Sequence, residues 1–174
     1  MTQEISNFGD HAEVTMQSRV DDVAGTSMAG YYHVVCRDKD GNIKWEEEFP
    51  NLVNAVGKQL MLDTLLSGSS YTTVGPFLGL ISGSSPTFLA ADTMSSHSGW
   101  TEFSNYTVLG SAVRGTAVFG SSTSTGTTPS NVTTSAASAI TYTITGAGGT
   151  VGGCFLTLGS GASSTQGNTG GTLY

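Results

Sequence analysis

Charge is what most of this chain lacks. Residues 67–174 carry only Asp92, Glu102 and Arg114, whereas the other 16 of the 19 charged side chains fall in the first 66 residues. A stretch of 108 residues with three charges must build its surface from hydroxyls and backbone, and Ser and Thr number 41 there. Such a surface suits contact with other proteins better than chemistry, which needs titratable groups that converge. Basic residues are scarce everywhere: six Lys and Arg, dispersed, stand against 13 Asp and Glu, for a net charge of −7. Affinity for nucleic acid rests on clustered Lys and Arg, so no nucleic-acid partner is expected.

Cysteine is nearly absent too. Cys36 and Cys154 are far apart, and neither belongs to a C-x-x-C or Cys/His cluster, so both read as small buried thiols. No apolar run approaches the roughly 18 residues of a membrane span, and Met1-Thr2-Gln3-Glu4 does not open a basic stretch with an apolar core behind it, as a secretory signal does. Synthesis in a reducing cytosol and no membrane partner are the expectation. On that route Asn105-Tyr106-Thr107 and Asn131-Val132-Thr133 match the glycosylation pattern only by chance.

What is present points to β structure. The 174 residues suit one domain, and 24 glycines with 11% charged residues indicate a turn-rich, mainly β protein, expected as a single β-sandwich-like domain with one α-helix. Residues 1–29 have sparse apolar positions and read as an extended N-terminal arm. Ile5, Phe8, Val14, Met16 and Val20 are its candidate partner contacts, too widely spaced for a self-contained amphipathic element and expected to lie across a neighbouring subunit.

Residues 30–174 read as the β-rich domain. Tyr31–Asp38 and Ile43–Phe49 flank Asp40-Gly41, a dipeptide suited to a two-residue hairpin turn. That turn pairs Cys36 with Trp45, Tyr32 with Phe49 and His33 with Glu48, and it sets Arg37 unfavourably against Lys44. Asn51 is placed to cap a helix over 52–66, whose stripe of Leu52, Val53, Val56, Leu60 and Leu65 makes Leu60 an expected core residue. Gly57 inside that helix implies a close neighbour. Strands are expected at Phe77–Ile81, Gly99–Phe103, Val113–Phe119, Ala139–Thr145 and Gly152–Leu158, the clearest alternation being Ile140, Tyr142, Ile144. Gly120–Ser138 and Gly159–Gly171, nearly all Ser, Thr and Gly, read as exposed loops.

Apparent motifs fail on inspection. Counted from Asp38, a calcium loop would need Gly and Glu where Ile43 and Phe49 stand. The 146–153 run is glycine-rich without completing a dinucleotide fingerprint, and Gly57-Lys58 is followed by Gln59 rather than Ser or Thr. The stretch from Asp92 to Glu102 holds Ser95, Ser96, Ser98, His97 and two carboxylates, but no nucleophile elbow. Its bland reading is an Asp capping a turn, a His bonded within the loop, and Trp100 and Phe103 as core anchors. No catalytic, cofactor-binding or metal-binding residue is assigned, and no small-molecule substrate is expected.

The hairpin Cys36-Arg37-Asp38-Lys39-Asp40-Gly41-Asn42-Ile43-Lys44-Trp45-Glu46, the Asn51-Leu52-Val53 and Gly79-Leu80-Ile81 segments, and the loop Ala91-Asp92-Thr93-Met94-Ser95-Ser96-His97-Ser98-Gly99-Trp100-Thr101-Glu102 resemble a family of small proteins encoded among the virion genes of tailed bacteriophages. The likeness runs from about Tyr31 to Phe119. It implies a virion structural protein made in the bacterial host cytoplasm. The first expectation is a capsid decoration or cement protein that binds the major capsid protein, copies of itself, or both; a tail, neck or fibre component is the alternative, and a soluble hydrolase around His97 is third. Family members carry a further strand after the Gly171-Thr172-Leu173-Tyr174 segment, and this sequence stops at Tyr174.

Overall fold

The computed structural model describes residues 5–6, 9, 11–23, 25–68, 70, 74–120, 123–125, 128–132 and 139–174, and of 5–6, 16–23, 25–29, 123–125 and 128–132 the backbone alone. The chain is mainly β: among the described residues, two antiparallel sheets face each other as a sandwich, with one helix. In order it runs β1 (Ile5–Ser6), β2 (His11–Val23), β3 (Gly25–Arg37), β4 (Ile43–Asn51), α1 (Ala55–Leu66), β5 (Phe77–Ser82), β6 (Thr101–Phe103), β7 (Tyr106–Thr107), β8 (Gly115–Thr116), β9 (Thr123–Thr125), β10 (Thr128–Val132), β11 (Ile140–Ile144), β12 (Gly149–Leu158) and β13 (Thr172–Leu173). No described helix is long and apolar enough to cross a membrane.

The first sheet is ordered β4-β3-β2-β10-β9, and the half of β2 nearer its start also pairs with β11. This corrects the expected arm. His11–Val23 is a strand, paired with β3 from His11 opposite Arg37 to Val23 opposite Gly25. The cause lies in the period: Ala12 and Val14 fall on alternate positions, and both are buried on one face of the strand. Val14 is 1% exposed and sits in the protein's own core, so it is no contact for a partner. Ile5 belongs to β1, whose backbone pairs with β12 opposite Thr150. Met16 and Val20 are paired through their backbone, while their side chains, and all of Phe8, lie outside the described residues.

The hairpin keeps the expected pairs Cys36–Trp45, Tyr32–Phe49 and His33–Glu48. At its end it departs: a bulge between Cys36 and Arg37 sets Arg37 opposite Ile43 rather than Lys44, separating the two cations. The turn widens to 38–42, organised by the Asp38 carboxylate, which accepts from the amides of Asp40 and Asn42 and from Asn42 Nδ2 at 2.9–3.0 Å.

The second sheet is ordered β1-β12-β5-β6, with β13 on β12 and β8 on β5. Its central strand β5 is covered on both faces. Leu78 and Leu80 point into the sandwich against Val14, Tyr32, Ile140, Tyr142 and Leu156. Ile81 points the other way, into a second cluster with Met94, Trp100, Phe155 and Leu173, which the helix residue Val56 covers. Gly79 lies opposite Phe155, and a Cβ there would meet the Phe155 ring at 2.5 Å, so the glycine lets the ring lie across the sheet.

The helix begins at Ala55, three residues later than expected, with Asn54 rather than Asn51 at its N-cap. Gly57 faces Leu173 and Tyr174, whose backbone atoms lie 3.2–3.3 Å from the position of a Cβ, which is the close neighbour implied by a glycine in that segment. Leu60 is only half-buried, and Leu65 is 80% exposed, so the far half of the expected apolar stripe meets no core. The 120–138 stretch also differs from a plain loop, since β9 and β10 extend the first sheet alongside β2.

Candidate functional site

The 86–100 loop crosses the second sheet beside the start of α1 and is held there by one carboxylate. Asp92 Oδ2 accepts from the Leu89 amide at 3.0 Å and from Trp100 Nε1 at 3.1 Å. Asn54 does not bond its own helix with its side chain; its Nδ2 donates to the carbonyls of Leu89 at 3.0 Å and Asp92 at 3.2 Å, tying loop to helix. His97 stacks on Trp100 with ring centroids 3.7 Å apart, and its Nδ1 is 3.0 Å from the Trp100 carbonyl oxygen. Trp100 is thereby fixed on three sides, with Phe155 5.1 Å away below it.

Glu102 and Arg114 form a separate centre. Arg114 Nε and Nη2 donate to the two Glu102 oxygens at 2.8 and 2.7 Å, a bidentate pair with a guanidinium side chain only 1% exposed. Its remaining donors reach the carbonyls of Ser163 at 3.1 Å and Asn168 at 2.7 Å. Glu102 accepts in addition from the Gly167 amide at 2.7 Å. The pair therefore shapes the 163–168 loop, and the Phe155 ring lies 5.0 Å from the guanidinium carbon.

Asp92, His97 and Glu102 are thus close in sequence without converging on one reacting point: Asp92 and His97 both hold Trp100, at its indole nitrogen and its carbonyl oxygen, while Glu102 holds Arg114. Among the described residues, no group of three or more His, Cys, Asp or Glu side chains is placed to hold a metal ion. Ser95 and Ser96 are exposed, with Ser95 Oγ 3.3 Å from Thr93 Oγ1. Burial pushes the Cys154 thiol far above its ordinary range, so it is no nucleophile.

A concave feature lies against this loop. A half-open cleft of about 100 Å³ is walled by Tyr32 and Phe49 from the first sheet, Phe155 from the second, Trp100 from the loop, and Leu173 and Tyr174 from the chain end. Its mouth is bordered by Asn51, Leu52 and Phe88, and the last two expose close to half of their surface. Tyr32 Oη and Asn51 Nδ2 are buried side-chain atoms without a hydrogen-bond partner. Neither residue was singled out for function in the sequence, where one strand tyrosine and one asparagine give no signal of the vacant bonds. Arg114 was legible in principle: a lone cation in an uncharged region must find a carboxylate or stay in water.

No family model, curated protein or solved structure matches the chain, so the functional reading rests on this geometry and on the sequence.

Proposed function

We propose that this protein works by contact, as a virion structural protein of a tailed bacteriophage, and most specifically as a capsid decoration protein that binds across major capsid subunits. The observation that supports this reading is the fate of the charges in residues 67–174. Asp92 is buried beneath its loop and Glu102 and Arg114 bind each other, so what the described residues of this part present outward is hydroxyl, backbone and apolar surface. Leu109, Val118 and Phe88 are among the apolar side chains left in solvent there. A surface of this kind favours close packing against other proteins over solvation at a distance.

The test uses purified shells lacking the protein. Mixed with them, the full chain should co-sediment to a fixed ratio per capsid subunit, and imaged particles should show it repeated over the head. Failure to co-sediment, with no density on the head, would end the decoration reading. A few copies confined to one vertex or to the tail would establish the tail, neck or fibre alternative.

A further inference from the structure

Two-residue hairpin turns of the favoured kind need a positive φ at both central positions, which is why Asn-Gly and Asp-Gly prevail there. The turn that follows β7 has this form. Val108 and Ser111 close it with paired backbone bonds of 2.8 and 3.0 Å, but its central residues are Leu109 and Gly110, at φ of 50° and 81°. Among the described residues, Leu109 is the only non-glycine residue in the left-handed region. A leucine Cβ crowds the neighbouring carbonyl oxygen in that region, so the backbone is strained. The side chain is also 99% exposed, which leaves all of its apolar surface in water. Neither the turn nor the core of this chain gains from a leucine at this tip, and strain of this kind gathers where a protein meets a ligand or partner.

The same chain carries a receptor of matching size. Its cleft of about 100 Å³ suits a single aliphatic side chain, being smaller than a cavity of roughly 150 Å³ that holds benzene. The Trp100 and Phe155 rings and Leu173 wall it, and Leu52 and Phe88 stand half-exposed at its mouth. No charged side chain stands free on either surface: residues 107–112 read Thr-Val-Leu-Gly-Ser-Ala, and Asp92, the only acidic side chain of the lining, is bonded to the Leu89 amide and Trp100 Nε1. A leucine can therefore enter without stripping water from an unpaired charge. Leu109 is too exposed to occupy the cleft of its own chain. Because knob and cleft are different patches, a contact between them is head-to-tail, and each copy that fills a neighbour's cleft still offers its own.

We propose that the 108–111 turn is a docking knob, and that Leu109 of one copy seats in the cleft between the 86–100 loop, β12 and the chain end of the next. The partner is a second copy of this chain, in an arrangement that leaves a free knob at one end and a free cleft at the other. One buried leucine and its rim fall well short of the roughly 1,200 Å² of a stable complex, so pairing in free solution is weak and shows only at high concentration. The contact needs no capsid; it goes beyond the virion reading and is tested on the protein alone.

Amide resonances of the full-length protein, followed by NMR as its concentration is raised to the millimolar range, should shift progressively at Gly110, Ser111, Gly153 and Leu173. Leu109→Asn removes the knob and supplies the Asn-Gly pair that such turns favour. Association should then weaken about tenfold or more, the factor for one leucine left unburied, while melting temperature rises by about 2–4 °C as the strain is relieved. Leu52→Glu and Phe88→Glu, at the exposed mouth, should each close the cleft to the knob with the same loss of association. Leu109→Asn mixed with either mouth variant should pair one to one and grow no further, since the first keeps the cleft and the second the knob. Association that survives Leu109→Asn, shifts scattered over the surface, or mixed variants that stay monomeric would overturn the proposal. So would a lowered melting temperature in Leu109→Asn, because the leucine would then serve its own fold. Association lost in Leu65→Ser but kept in Leu109→Asn would place the contact on the far half of α1 and exclude the knob.

Discussion

The first 66 residues and the remainder use charge in opposite ways. Early in the chain, the described ion pairs sit at the surface: His33 Nε2 lies 2.7 Å from Glu46 Oε1, with the two side chains 39% and 51% exposed. Later, the single ion pair is buried, bidentate and surrounded by backbone carbonyls that it also satisfies. Exposed pairs contribute about 0–1 kcal/mol, whereas removing one member of a buried pair strands its partner in a medium that cannot solvate it. The lesson is that scarcity of charge and importance of charge go together here: the region with few charges depends on them most.

The sharpest way to break this comparison is to remove one buried partner. Arg114→Met should lower unfolding free energy by about 3–5 kcal/mol, measured by denaturant titration, and should open the 163–168 loop to protease. His33→Ala should cost at most about 1 kcal/mol. If Arg114→Met costs no more than His33→Ala, the contrast between the regions fails. The double variant Glu102→Leu with Arg114→Met should recover most of the loss, because no orphan charge remains.

A second contrast sets the sandwich against the helix. Leu80→Ala should cost about 2–5 kcal/mol, as for a fully buried leucine, while Leu65→Ala should stay within about 0.5 kcal/mol. Chemical denaturation of both variants checks it, and comparable losses would place the far half of α1 in the core after all.

Asp92 comes next. Asp92→Ala deprives the Leu89 amide and Trp100 Nε1 of their acceptor, and a loss of about 1–3 kcal/mol follows. Trp100 fluorescence should shift as its indole loosens. An unchanged melting temperature with unchanged emission would show that stacking on His97 alone holds the ring.

The smallest effect belongs to the surface carboxylate at the hairpin turn. Bonds from the Asn42 side chain, then from its amide, hold the Asp38 carboxyl below the ordinary 3.8. A depressed pKa means that the native turn favours the charged form. Its contribution is therefore fully present above pH about 3.8 and is lost as pH falls through the lower native value. Amide shifts of Asp40 and Asn42 should move in that acid window, and Asp38→Asn should abolish the movement. Titration of those amides above pH 4 would contradict the sign.

The parts of the fold that sequence could show were those where one local rule decides. Ile140, Tyr142 and Ile144 alternate with threonines, and β11 is a half-buried strand. The Asp40-Gly41 turn fixed the register of Cys36 with Trp45, although the bulge that avoids Arg37 opposite Lys44 depends on a longer turn. Elsewhere the decision was tertiary. Apolar residues at 12, 14, 16 and 20 have period two, but Ser18 interrupts the series, and only pairing with both β3 and β11 makes it a strand. Leu65 belongs to the expected stripe but has no layer to cover it, and Leu60 is covered only in part. In the candidate site, Asp92 as a turn organiser and Trp100 as an anchor could be read from the loop. The cleft could not, since Tyr32, Asn51 and Phe155 meet only through sheet packing.

The seam between β2 and β11 bears on when the protein can finish folding. His11 Nδ1 lies 3.3 Å from Thr143 Oγ1 across 132 residues of chain. During synthesis, the β2–β3–β4 meander emerges with its Val14 face uncovered well before the strand that pairs with its edge, β11. Closing so long a loop is entropically slow, and folds dominated by such distant pairings assemble on the order of milliseconds to seconds. Until then an apolar strand edge is open to any neighbouring chain, so a cell making many copies at once holds a pool of half-finished sheets, and yield depends on how fast the 140–144 segment finds its place.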